Sequence, residues 1–576
     1  MGEIVVSTNI SKQKRDALLD KIQQIKKFIS AGPLDENTAN LLTYIGELTK
    51  EINGKKYGLV FEEHREKIDE LLEENAPVLV EQEDLFIDNG GEMNFLIEGD
   101  NLAALKLLEK THKGKIDVIY IDPPYNTGNK DFIYDDDYVD EEDSFRHSKW
   151  ISFIEKRLIH AKKLLSDKGV ILISIDDNQK DSLKILCDEI FGEKNNLGVF
   201  ITKSTPNARD YGYVGKMHEY MLFYSINQDK VITNLMPVIN KSFKYTDEFG
   251  GFNIHPLYNS NEAFTNENRP NLFYPFYLNA NNKKGDFFEI SLEKQEGWIE
   301  IFPPKSVKNQ IQFVWRWGKE KSQNNLNKEI VGYCTSENEY RIVQKMRHDE
   351  KLIRSILDDV NYTSRKGTAE VENIFKNKQF SFPKPIQLIR DVLFMSTIQS
   401  STILDFFAGS GTTGHAVMKL NAEDGGNRKF ILCTNNENNI CQDVTYQRLK
   451  TVITGKRKDG SDYDENYKAS LKYFKIDFLP IKDKMYYEYA DELLEHVKEL
   501  VELENAIDFN TNKSVAIVLD DDELAEFVEN IADYPECKTL YMGHDVLTSY
   551  QQEQTIKAHG ITINTVPDYY YRDLAN

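Results

Sequence analysis

The chain has 576 residues, a formal net charge of −23 and five cysteines without a Cys-x-x-Cys pair. At roughly 150 residues per domain this length allows a sizeable core and three or four domains, while the cysteine spacing argues against a disulfide framework or a zinc site, so no metal is expected. No run of about 18 apolar residues and no apolar h-region occurs, so no membrane association is expected and the protein is placed in the cytoplasm; the acid excess argues against a basic coat for gripping phosphates but leaves room for a local basic groove.

Residues 1–90 alternate Leu/Ile with Lys/Glu at helical spacing, as in Leu18-Leu19-Asp20-Lys21-Ile22 and Ile68-Asp69-Glu70-Leu71-Leu72, and read as a helical N-terminal arm that packs on the main domain or a partner and carries no chemistry. Residues 91–227 alternate strands and helices. Phe95 to Asn101 is a strand and turn, Leu102 to Glu109 a helix, and Lys115 to Tyr120 a buried strand running into Asp122-Pro123-Pro124-Tyr125. Asn126 to Ser144 is a polar and aromatic loop of lid-like length; Trp150 to Leu165 is an amphipathic helix, and Gly169–Ile175, Val199–Thr202 and His218–Tyr224 are further strands.

Paired prolines at a strand's carboxyl end make a stiff turn where open α/β sheets place their ligands. The Asp122 carboxylate and the carbonyls of Pro123-Pro124 can accept hydrogen bonds from one NH2 group, and Tyr125 offers a flat face to a planar ring. Such a set suits a nucleobase amine, a poor nucleophile that fixed acceptors would draw towards a tetrahedral, reactive geometry. An ordinary proline-rich loop is the plainer reading of these four residues alone.

Between 228 and 375 the alternation gives way to Asn, aromatic and basic residues, as in Phe313-Val314-Trp315-Arg316-Trp317-Gly318-Lys319. Interleaved aromatics and cations suit stacking on bases and contact with phosphates, so the segment is expected to be a DNA-recognition insert of α+β type, although each Trp alone is more simply a core residue. Residues 376–475 then run from Phe382-Pro383-Lys384-Pro385 through Asp405-Phe406-Phe407-Ala408-Gly409-Ser410-Gly411-Thr412 to a strand ending near Glu437. A strand, glycine turn and helix bring backbone close to a cofactor, and the acid is placed to hold ribose hydroxyls. No Lys follows Gly411, which argues against an ATP loop and for an adenosine-bearing sulfonium. Residues 476–576 read as a small α/β domain without a catalytic constellation, left with dimerisation or partner binding.

Asp-Pro-Pro-Tyr first, an insert next, then Phe-Pro-Lys-Pro and Asp-x-x-x-Gly-x-Gly resembles the β-class order of DNA amino-methyltransferases. With Gly99-Asp100-Asn101-Leu102 and Ile173-Ser174-Ile175-Asp176-Asp177 it is similar, over residues 55 to 475, to the modification subunits of type III restriction-modification systems. The resemblance implies an α/β, Rossmann-like doubly wound methyltransferase sheet in circularly permuted order. It also implies methyl transfer from S-adenosylmethionine to adenine N6 of double-stranded DNA by base flipping, with Asp122, Pro123, Pro124 and Tyr125 catalytic. Asp100, Lys384, Asp405, Phe407, Gly409, Gly411, Thr412 and Glu437 would surround the cofactor, and the partners would be a second copy of the chain and a separate helicase-nuclease subunit. Cytosine N4 as the target, or a catalytically silent DNA-recognition subunit, are the alternative readings.

Overall fold

The computed structural model describes residues 10–30, 36–53, 61–128, 132–134, 137–139, 142–207, 213–238, 242–308, 310–347, 350–480, 493, 496–509, 512–543 and 546–566. Most of the expected Asn207 to Gly215 loop and parts of the lid-like loop lie outside them. The chain forms two compact units, Leu235–Ile353 and the remainder.

The larger unit is built on a ten-stranded sheet. Its strands are β1 (Asn75–Glu81), β2 (Met93–Glu98), β3 (Ile116–Ile121), β4 (Leu165–Ile175), β5 (Asn196–Thr202), β6 (Glu219–Ser225), β7 (Ile356–Leu357), β8 (Thr402–Asp405), β9 (Lys429–Thr434) and β10 (Ser470–Pro480), in spatial order 1-10-2-9-8-3-4-6-5-7. The six from β10 to β4 are parallel. Each of these six carries fully buried side chains, such as Val118, Ile119 and Ile121 of β3 and Ile403 and Leu404 of β8, as expected of strands covered on both faces. Their helices share that core: Asn101–His112, Arg146–Leu164 and Val497–Asn505 contribute to one hydrophobic cluster with the sheet.

The strands β8 and β3 lie side by side, Ile403 opposite Val118 and Leu404 opposite Ile119. From β8 the chain proceeds to β9 on one side, and from β3 to β4 on the other. Adjacent strands whose onward connections diverge leave a crevice at their carboxyl ends. Asp122 and Phe406 are the first residues beyond them.

Three expected boundaries shift. The N-terminal arm is not wholly helical: after Ile10–Ser30, Glu36–Asn53 and Lys67–Glu74 it supplies β1, antiparallel to β10 at the sheet edge. The insert is Leu235–Ile353, shorter than 228–375, because β7 pairs with β5 and helix Ser364–Phe375 belongs to the larger unit. Helix Val497–Asn505 likewise joins the main core, so the separate C-terminal sheet is the parallel trio Val515–Val518, Thr539–Met542 and Thr562–Thr565.

The insert itself is strand-dominated. Tyr245–Asp247, Gly250–Pro256, Tyr340–Met346, Ile330–Cys334, Phe287–Ser291, Phe276–Lys284 and Ile299–Ile301 form an antiparallel sheet in that order, with one five-residue α-helix, Lys319–Gln323, among its described residues. Alternation such as Phe288, Ile290 buried against the partly exposed Phe287, Glu289 and Ser291 favours strands over helices here. Trp315 is buried, its indole donating to the Tyr274 carbonyl at 2.7 Å. It is a core residue and not a stacking platform.

Candidate active site

Tyr125, Lys384 and Glu219 close around Asp122, which stands half-buried at the end of β3. The Tyr125 hydroxyl donates to Asp122 Oδ1 at 2.9 Å, with Glu219 Oε2 3.2 Å away as a second acceptor. Lys384 Nζ lies 3.1 Å from Asp122 Oδ1 and 3.0 Å from Glu219 Oε2, donates to the Tyr125 hydroxyl, and sits 4.8 Å from the centroid of the Tyr125 ring.

Two carboxylates and one ammonium in a low-dielectric cleft split in their proton affinity. Burial raises the Asp122 carboxyl above its ordinary value, with the Glu219 charge adding to the rise and Lys384 only partly offsetting it. Burial also works against ionised Glu219, but there the charge and hydrogen bond of Lys384 prevail and the net shift is downward. Lys384 is held above its ordinary value, since the two carboxylates outweigh the desolvation of its ammonium. Burial, then the charges of Asp122 and Glu219, raise the Tyr125 phenol far enough to keep it neutral.

The proline carbonyls are not equivalent. Trp150, fully buried on helix Arg146–Leu164, donates its indole N–H to the Pro124 carbonyl at 2.7 Å. That oxygen is already engaged by the core, whereas the expectation gave both proline carbonyls to a substrate amine.

Beside this cluster lies a cavity of about 390 Å³ lined by Pro124, Asp100, Asn101, Phe153, Phe406, Phe407 and Glu437, among others. This falls within the roughly 300–1,000 Å³ of small-molecule sites. Aromatic walls for a purine and a carboxylate at Glu437 for hydroxyl groups fit an adenosine-bearing cofactor. Asp100 divides its oxygens: Oδ1 caps helix Asn101–His112 through the Leu102 amide at 2.7 Å, and Oδ2 lies 3.4 Å from Arg157.

The glycine turn is shaped rather than merely small. Gly409 and Gly411 adopt φ of +48° and +76°, backbone that residues with a Cβ reach only under strain. Asp405 and Thr412, expected at the cofactor, instead face the protein. Asp405 accepts from the Phe407 amide at 2.9 Å and from the Thr413 hydroxyl, and burial pushes its carboxyl up to about 7. Thr412 donates to the Lys384 carbonyl at 3.2 Å and accepts from buried Arg448 at 2.8 Å. Both hold the turn in shape. Lys384 is likewise corrected: its carbonyl is tied to the glycine turn, but its ammonium is drawn to the carboxylates of Asp122 and Glu219 and does not line the cavity.

Three contributors were not foreseen. Glu66, Lys67 and Ile68 of the N-terminal arm line the cavity, so the arm forms part of its wall. Arg157 Nη1 and Nη2 reach the two Glu66 oxygens at 2.9 and 3.1 Å, and its guanidinium lies 3.7 Å over the Phe153 ring. A cation on the apolar face Trp150-Ile154-Leu158 was the available sequence signal. Glu219, opening β6, carried none.

A stiff acceptor turn beside an aromatic, acid-ended cofactor cavity at a sheet's switch point defines a methyltransferase for amino groups. The DNA methylase family model matches residues 116–446, and the chain belongs to that family. It is 34% identical over 389 residues to the type II methyltransferase M.KpnI of Klebsiella pneumoniae, covering 66% of this chain and 90% of that protein. It is 32% identical over 382 residues to the EcoPI Mod subunit, a type III restriction-modification enzyme of Escherichia phage P1, covering 61% of this chain and 58% of that protein. The chain therefore spans less than two thirds of that relative. Among solved structures, the cytosine-N4-specific PvuII DNA methyltransferase is similar at 11% identity and a TM-score of 0.32, covering 63% of this chain and 94% of that one.

Proposed function

We propose that the chain methylates adenine N6 in double-stranded DNA from S-adenosylmethionine, as the modification subunit of a type III restriction-modification system. The observation that carries the reading is Pro124, which belongs to the Asp122–Tyr125 turn and also lines the cofactor-sized cavity. The two sites therefore share a wall.

A base inside a duplex must leave the stack to reach such a turn, at a cost of a few kcal/mol, and the Tyr125 ring recovers about 1–3 kcal/mol by stacking. Asp122 and the Pro123 carbonyl accept from the two N–H bonds of the amine and turn its lone pair towards the cavity. S-adenosylmethionine, when bound, supplies an electrophilic methyl group. Positive charge that develops on the nitrogen is met by a cluster with one more carboxylate than ammonium, Asp122 and Glu219 against Lys384.

Adenine is preferred to cytosine on the type III resemblance, since the turn itself serves either amine. The insert, Leu235–Ile353, is assigned to sequence choice; the active form is assigned as a homodimer in the cytoplasm, and restriction to a separate helicase-nuclease partner. Modified-base sequencing of DNA from cells expressing the chain or its Asp122→Ala variant tests the reading. N6-methyladenine at one sequence, lost in the variant, is expected; unmodified DNA from the wild type overturns it.

A further inference from the structure

Lys384 presents a primary ammonium to the groups that a target amine needs. It contacts Asp122 Oδ1 at 3.1 Å, bonds to the Tyr125 hydroxyl and lies 4.8 Å from the centre of the Tyr125 ring. A flipped base reaching Asp122 and stacking on Tyr125 meets this group first. Leaving it there would also partly neutralise the carboxylate whose pull on the amine matters.

The surroundings show what moves and where it goes. The Lys384 backbone is confined between Pro383 and Pro385, its carbonyl is held by the Thr412 hydroxyl at 3.2 Å, and the next amide, Ile386, donates to Glu370 at 2.9 Å. The side chain, with four rotatable bonds, is the free part. Glu219 Oε2 already lies 3.0 Å from Nζ, on a carboxylate kept ionised by that contact and by a hydrogen bond with Ser204.

Resting on the adenine-methyltransferase reading above, we propose that Lys384 is a stand-in for the target amine that fills the base site between turnovers, and that Glu219 is the positioning residue that draws it off Asp122 when the base enters. Glu219 then does two things. It keeps the cation paired while Asp122 accepts from the substrate, and it holds positive charge away from a nitrogen that is itself becoming positive.

The pair predicts a rescue that a structural role does not. In Glu219→Gln the ammonium keeps only Asp122 as a charged partner, so the base competes against a stronger occupant: KM for DNA rises and kcat falls, together at least ten-fold in kcat/KM. In Lys384→Met the occupant is gone, and a target-site 2-aminopurine is extruded more fully, with higher fluorescence, before any cofactor is added. The double variant recovers most of the loss caused by Glu219→Gln.

The experiment measures kcat, KM for DNA and 2-aminopurine fluorescence for the wild type, both single variants and the double variant, with S-adenosylmethionine affinity as a control. A double variant at least as impaired as Glu219→Gln, with fluorescence unchanged by Lys384→Met, overturns the proposal. So does Lys384→Met weakening cofactor affinity without altering base extrusion, which would return Lys384 to the cofactor side. If a single variant does not fold, Lys384→Gln with the same fluorescence readout decides alone. Wild type that transfers no methyl group to DNA defeats the underlying reading instead, so the two failures are distinct.

Discussion

Replacing Arg157 by Met should destabilise the protein and loosen its cofactor site at once. The side chain is 1% exposed, and its guanidinium meets the nearly buried Glu66 carboxylate through both terminal nitrogens. Removing one partner of such a pair leaves an uncompensated buried charge, at a cost of about 3–5 kcal/mol. Lys156 Nζ, 3.6 Å from Glu66 Oε1, takes up part of that charge and favours the lower end; the lost contact over the Phe153 ring costs roughly 0.5–1 kcal/mol more. A net loss near ~3 kcal/mol follows, and because Glu66 and Arg157 both line the cavity, the Kd for S-adenosylmethionine rises with it. Urea unfolding gives the first quantity and cofactor titration the second. Glu66→Gln together with Arg157→Met, which removes both charges, should recover most of the stability. A single variant that loses under ~1 kcal/mol, or a double variant as unstable as the single, refutes the reasoning.

Other consequences are as direct. Asp122→Ala should lower kcat by on the order of 10²-fold or more while leaving cofactor affinity, measured by calorimetry, close to wild type, since Asp122 is not part of the cavity wall. Asp122 must be ionised to accept from the amine, and its carboxyl in the DNA-free protein is raised by burial, so the fall of kcat/KM on acidification should set in above the ordinary aspartate value of 3.8; Lys384→Met, which removes the group that lowers it, should move that limb of the kcat/KM profile further up. At the sheet edge, Lys472 Nζ lies 3.1, 2.5 and 2.8 Å from Glu81, Glu502 and Asp508, all buried or nearly so. Lys472→Met should therefore cost about 3–5 kcal/mol in urea unfolding.

What the sequence showed best was whatever is written locally. The strand before Asp122, the proline turn and the Gly409–Gly411 turn are each dictated by a few consecutive residues, and they sit where strand, turn and helix signals put them. Long-range pairings were less legible. The contact of Lys384 with Tyr125 joins residues 259 positions apart, and a Pro-Lys-Pro helix start gives no hint of where a flexible ammonium ends. The apolar run Ala76–Val80 is too short to be separated from helix by periodicity, so β1 went unseen inside an otherwise helical arm. Asp405 and Thr412 stand in a cofactor motif but serve its backbone, a distinction made by hydrogen bonds and not by spacing.

The central claim is that the Asp122–Tyr125 turn directs a methyl group onto the amino nitrogen of adenine. Incubating the purified chain with S-adenosylmethionine and unmodified duplex DNA, without ATP or any second protein, and analysing the digested nucleosides by mass spectrometry tests it most directly. N6-methyladenine as the product, absent with Asp122→Ala, is the predicted result; N4-methylcytosine alone, or N6-methyladenine undiminished in that variant, would contradict it.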